Sequence, residues 1–288
     1  MSNSRFYTNC TCIGNNILYR GVKDGERIAE KFTVQPTLFL PSSKPTKYKT
    51  LDGKYADKIK FGDINEAKEF VRRYEGVDNF VYYGNTKYHY VYLGDKFPNT
   101  IDYDFSEIVV SNLDIEVGSE NGFPDPSIAS EEVTAITIKL DGRYYALGCN
   151  DFVCPDGVDY LKCENEVQLL KRFLDLWILA DPDIITGWSV KFFDIPYLVN
   201  RFRKILGEDE TRNLSPWRYI SERQTIINGR KMIAYGFVGV ESLRTGLAKN
   251  PALLLLSSVP LAFNTIPDAV EFLPAYLPIE IEFIGALL

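Results

Sequence analysis

The chain has 288 residues, of which 45% are apolar, 14% aromatic and 25% charged, and its formal net charge is −7. That is long enough for two domains of ordinary size and apolar enough to fill their cores, which excludes a disordered tail. The acidity does not exclude nucleic acid, because it is uneven: residues 1–107 hold 16 basic against 14 acidic side chains, 108–250 hold 16 against 21, and 251–288 hold none against four. Cysteines stand at 10, 12, 149, 154 and 163. An odd count without paired Cys-x-x-Cys motifs argues against a disulfide framework or a zinc knuckle and leaves them as small hydrophobes. No apolar leader follows Met1, and the longest apolar stretch, 252–263, is short and interrupted by Ser and Pro. The expectation is a cytoplasmic protein with no membrane partner.

Residues 1–107 read as a β-rich domain with one helix. Aromatic and β-branched runs from Phe6 to Leu40 are broken by turn signals at Gly14-Asn15-Asn16 and Lys23-Asp24-Gly25. Asp63 is placed as an N-cap with Glu66 three residues on, Ala67, Phe70, Val71 and Tyr74 follow at helical spacing, and Gly76 stops the helix. In 82–96, YYGNTKYHYVYLGDK, Tyr alternates with Lys and polar residues. An alternating strand with one wet face is the expectation, a base-stacking surface the alternative. His89, the only histidine, is expected to be structural. Lys44, Lys47, Lys49, Lys54, Lys58 and Lys60 are spaced for phosphate contacts or for a solvated loop.

A second, α/β unit is expected over 108–240. Residues 107–117 have the apolar density of a central strand, and 133–140 and 143–147 are strands joined by the hairpin signal Asp141-Gly142. Residues 164–177 form an amphipathic pattern with Val167, Leu170, Leu174 and Trp177 on the buried stripe. A short strand and turn at 183–188 is followed by a helix over 195–206, with Pro196 in its first turn and Gly207 beyond its end. The texture changes across 241–288: no Lys or Arg follows Lys249, and prolines at 251, 260, 267, 274 and 278 permit only short pieces.

Chemistry concentrates at two places. Asp114 and Glu116 flank Ile115, and on a strand the period of two sends both carboxylates to one face. Paired acids raise each other's pKa unless a cation lies between them, and Mg²⁺ seeks oxygen ligands; a solvated strand face is the alternative. Asp194 stands immediately before the helix signal Ile195-Pro196. It is either an ordinary N-cap or a third acid completing a cluster with the strand.

Together these segments resemble the exonuclease motifs of family B DNA polymerases, those of T-even-type phages in particular. NLDIEV at 112–117 matches the first motif, and PDIITGW at 182–188 running into FDIPY at 193–197 matches the second. GFPDP at 122–126, NLSP at 213–216 and PTLFLPSSKPTKYKTLDGK at 36–54 agree as well, so the likeness spans about residue 5 to 240. The resemblance implies a β-rich N-terminal domain followed by a truncated ribonuclease H-like 3′-to-5′ exonuclease domain, in an α/β (overall α+β) protein. It further implies two Mg²⁺ or Mn²⁺ ions, a single-stranded DNA 3′ end as partner, Asp114, Glu116 and Asp194 as catalytic metal ligands, and Phe123 and Ser189 against the nucleic acid.

The family pattern is not complete. Ser189 stands where the family usually has Asn, and no tyrosine after Asp194 is followed four places on by Asp, so the third motif has no counterpart. No palm-domain motif is found either. The expectation is therefore a polymerase fragment with a foreign or frameshifted end. An RNA-binding module or one half of a split polymerase, partnered by the missing half, is the alternative.

Overall fold

The computed structural model describes residues 5–244 apart from 102, 121, 141, 228 and 229, so most of the proline-rich end, 245–288, lies outside the described residues. The chain divides into two compact units, Met1–Asp102 and Tyr103–Leu288.

The first unit is β-rich. β1 (Arg5–Ile13), β2 (Asn16–Lys23) and β3 (Glu26–Phe32) form an antiparallel meander, and β4 (Thr37–Pro41), β5 (Tyr48–Lys49) and β6 (Tyr55–Lys60) form a second sheet in the order β4-β6-β5. The hairpin between β2 and β3 turns through Asp24 (φ 54°) and Gly25 (φ 80°), the left-handed pair that a tight two-residue turn requires. α1 (Ile64–Tyr74) is capped reciprocally: Asp63 Oδ1 accepts from Glu66 N at 2.9 Å, and Glu66 Oε2 accepts from Gly62 N at 2.5 Å.

The alternating segment is not a strand. Tyr88–Lys96 forms α2: Tyr88 (2% exposed) and Leu93 (7%) bury with Tyr19 and Ile17, and Tyr92, one turn after Tyr88, packs against the same cluster. Tyr92 meets the Tyr19 ring edge-on at 5.9 Å, and Lys96 Nζ lies 3.5 Å from the Tyr19 centroid. Tyrosines at 88, 90 and 92 satisfy period two, while 88, 92 and 93 satisfy a helix; packing chooses between them. His89 lies half-buried on α2, with a pKa lowered first by burial and then by Lys87.

In the second unit a 3₁₀ turn, Phe105–Glu107, precedes β7 (Val110–Val117). β8 (Val133–Leu140), β9 (Arg143–Gly148), β10 (Val158–Lys162), α3 (Glu166–Ala180), β11 (Ile184–Gly187), α4 (Ile195–Ile205) and α5 (Glu208–Arg212) follow. The hairpin β12 (Ile220–Ile227) and β13 (Arg230–Phe237) and the strand β14 (Glu241–Arg244) complete the described chain. The main sheet has the order β10-β9-β8-β7-β11-β14, with β7, β11 and β14 parallel and β8 antiparallel to β7. Residues 241–244, which composition groups with the tail, thus add an edge strand. Asp183 ties the starts of the parallel strands together: its Oδ2 accepts from Val109 N at 3.0 Å and its carbonyl from Glu241 N at 2.8 Å.

Leu113, Ile115, Ile136 and Ile138 project from one sheet face into a core shared with Leu170, Phe173, Trp177 and Phe202. On α3 the buried stripe is Leu169, Leu170, Phe173, Leu174 and Trp177, whereas Val167, expected on it, is 43% exposed. Asn165 caps the helix, which places Val167 in the first turn on the solvent side. Among the described residues the cysteines are free, and no helix is long and apolar enough to cross a membrane.

Candidate active site

The strand pattern of β7 sets the first two acids. Leu113 and Ile115 are 1% and 5% exposed on the core side, and Asp114 and Glu116 alternate with them on the opposite face, half-buried. The last parallel pairing to β11 is Asn112 with Thr186, so both acids lie just beyond the carboxyl end of that pairing. Open parallel sheets place their sites at such strand ends. β11 leaves the sheet at Gly187, where a Cβ would collide with the carbonyl oxygen of Leu113; only glycine lets the chain pass there.

The chain then makes one π-helical turn, Val190–Asp194, which runs directly into α4. Asp194 is not an N-cap. Its φ and ψ are −62° and −54°, it lies within the helical run, and its side chain makes no capping bond. A π turn holds one residue more than an α turn and so changes which side chain faces the sheet; such turns are frequent at functional sites. Here the side chain turned inward is Asp194, 2% exposed, with Oδ2 lacking any hydrogen-bond partner. Burial, followed by the charges of Asp114 and Glu116, pushes its pKa from 3.8 up to about 8. Glu116 is also raised by burial.

Three acids from two distant segments therefore feel one another, and one presents a buried, unpartnered oxygen. This is the donor chemistry that an oxygen-seeking divalent cation needs. Among the described residues no three acidic, His or Cys groups are disposed as a closed ligand set. The cluster supplies the donors without being drawn together around an ion.

Phe123, on the β7–β8 connection, is 89% exposed, and its ring lies 5.5 Å from that of Phe193, the residue before Asp194. Ser189 is half-buried at the head of the π turn, where its carbonyl accepts from Phe192 N (3.1 Å) and Phe193 N (2.9 Å). Trp188, not singled out in the sequence, is 62% exposed immediately beyond β11. Its signal was the pair Gly187-Trp188, an aromatic placed where a strand must stop. In the first unit, Lys47 and Lys58 lie 5.0 and 6.0 Å from the Tyr48 ring centroid and Lys49 lies 5.4 Å from that of Tyr55. These lysines lie against aromatic rings, and the RNA-binding reading is not favoured.

The second unit, which follows a β-rich N-terminal part in the sequence, is thus a mixed α/β unit with acids at the carboxyl end of its central strand. The family model for DNA polymerase family B, exonuclease domain, matches residues 90–238. The chain belongs to DNA polymerase family B through that domain. It is 32% identical over 244 residues to the DNA-directed DNA polymerase of Escherichia phage RB69, covering 74% of this chain and 27% of that protein. Against the DNA-directed DNA polymerase of Enterobacteria phage T4 it is 30% identical over 240 residues, covering 73% and 26%. A shorter match, 32% over 109 residues, reaches the DNA polymerase delta catalytic subunit of Caenorhabditis elegans, covering 36% of this chain and 10% of that subunit. The chain thus spans about a quarter of the length of the phage relatives it matches.

Proposed function

We propose that the second unit is a metal-dependent 3′-to-5′ exonuclease domain acting on the single-stranded 3′ end of DNA, as the proofreading part of a replicative polymerase. The observation that carries this reading is Asp194, buried with Oδ2 unpartnered and raised to about 8 by burial first and then by the charges of Asp114 and Glu116. An ordinary fold does not keep such a group without a use for it.

In this reading Asp114, Glu116 and Asp194 would hold Mg²⁺ or Mn²⁺. When bound, the ions would supply charge for the developing oxyanions and lower the pKa of the attacking water. The protein's own work is to aim the acids at one point, Asp194 giving up its proton to a bound ion, with Glu116 orienting the water. Phe123 offers an exposed face on which an unpaired terminal base stacks, and Ser189 a short polar contact beside the strand. With no fourth acid from a third motif in the sequence, nucleotide release is expected to be slow. The working compartment is the cytoplasm of a phage-infected host, in keeping with the phage relatives.

The test is release of 3′-terminal nucleotides from labelled single-stranded DNA with Mg²⁺ or Mn²⁺, beside the Asp114→Ala/Glu116→Ala variant. Slow, metal-dependent release that disappears in the variant supports the reading. Release that the variant retains, or none from folded wild type, contradicts it.

A further inference from the structure

The connection between β7 and β8 carries Phe123, and its backbone is held by α4, the helix that Asp194 leads into. Tyr197 Oη donates to Glu131 O (2.7 Å), and Asn200 Nδ2 donates to Pro126 O (2.8 Å). Arg201 Nη1 donates to Ala129 O (3.1 Å) and Ser130 O (2.8 Å). Residues 197, 200 and 201 stand at i, i+3 and i+4, so one helix face grips four carbonyls of one loop. The grip is itself braced. Glu166 of α3 receives Arg201 Nε at 2.6 Å and Nη2 at 2.7 Å and also accepts from Val133 N at 2.8 Å, while Tyr235 donates to Asn200 Oδ1 at 3.1 Å. Ala129, wholly buried, is held at φ 46°, a left-handed conformation that a non-glycine residue keeps only where its surroundings impose it.

An exposed ring on a surface connection would ordinarily wander. Here Pro124 beside it is buried, and the carbonyls that follow are bound to α4, which Asp194 immediately precedes. We propose that Tyr197, Asn200 and Arg201 are positioning residues that fix Phe123 relative to Asp194, so that a terminal base stacked on Phe123 brings its phosphodiester to the acids. The proposal rests on the exonuclease reading. These residues touch neither substrate nor ion; they act through the loop.

The full chain is tested in EDTA, where nothing is cleaved, with single-stranded DNA ending in 3′-terminal 2-aminopurine. Tyr197→Phe/Asn200→Ala removes two of the grips while keeping the buried tyrosine ring and the Arg201–Glu166 pair. Asn200→Asp keeps the acceptor for Tyr235 and loses the donor to Pro126. Wild type is expected to quench the terminal base on binding, as a stacked base is quenched, and Phe123→Ala to abolish the quench. Both grip variants are expected to lose most of it, with amide exchange of residues 122–131 rising about tenfold while β7 and β8 stay protected. Variants that keep the full quench, or the full protection of 122–131, overturn the positioning role alone. Wild type without a quench overturns the 3′-end reading and this proposal with it. Should the double variant lose its cooperative melting, the single variants Tyr197→Phe and Asn200→Ala are read against the same two outcomes.

Discussion

The buried acid has a measurable cost when no cation is present, and Asp194→Asn exposes it. An unfolded aspartate ionises near 3.8 and the folded Asp194 near 8. Across that window folding takes up a proton, so stability is fully present below about pH 4, falls as pH rises, and levels off above about 8. At about 1.4 kcal/mol per pH unit the decline is at most on the order of 5 kcal/mol. Asparagine keeps the shape and cannot ionise, but its amide enters a site with an unpartnered oxygen position, costing about 1–3 kcal/mol. The net expectation in EDTA at pH 8 is a gain of ~2–4 kcal/mol for Asp194→Asn, or roughly 5–15 °C in melting temperature. At pH 4 the gain vanishes or reverses. Trp177, Trp188 and Trp217 all lie in the second unit, so urea unfolding followed by tryptophan fluorescence at pH 4–9 reports on that unit alone. A flat pH profile, or an Asn variant less stable at pH 8, would refute the reasoning and show Asp194 ionised where it lies.

Three further outcomes follow from the same geometry. Arg201→Met strands Glu166, only 10% exposed, without its cation and is expected to cost about 3–5 kcal/mol in urea unfolding, with Arg201→Met/Glu166→Leu recovering part of it. Phe123→Ala, at an 89% exposed ring, is expected to leave melting unchanged but to weaken binding of a single-stranded 3′ end by ~1–3 kcal/mol in fluorescence titration. Gly187→Ala drives a methyl into the Leu113 carbonyl; at least ~1–3 kcal/mol of stability should go, and metal affinity with it, since Asp114 is the next residue.

Where local rules and packing agreed, the sequence was readable. The period of two in β7, the Asp141-Gly142 signal between β8 and β9, and the Asp63/Glu66 capping pair all correspond to what forms. α2 was missed because alternating tyrosines satisfy both periods, and only burial against Tyr19 decides. At Asp194 the preceding Phe192-Phe193 and following Ile195-Pro196 look like a helix start, and nothing local announces a π turn. The candidate acids were legible because Asp-x-Glu on a strand and the ITGW and FDIPY segments are local patterns. The α4 grip was not: its bonds end on backbone carbonyls 66 to 74 residues away, and a carbonyl leaves no trace in a sequence.

The central claim is that Asp114, Glu116 and Asp194 form one cation site. Mn²⁺ titration followed by electron paramagnetic resonance tests it without requiring catalysis. Specific Mn²⁺ binding by wild type is expected, strengthening as pH rises towards 8 because the ion must displace the Asp194 proton. That binding should be lost in Asp194→Asn and in Asp114→Ala/Glu116→Ala. Binding that is unchanged in both variants, or absent from wild type at every pH, would contradict the account.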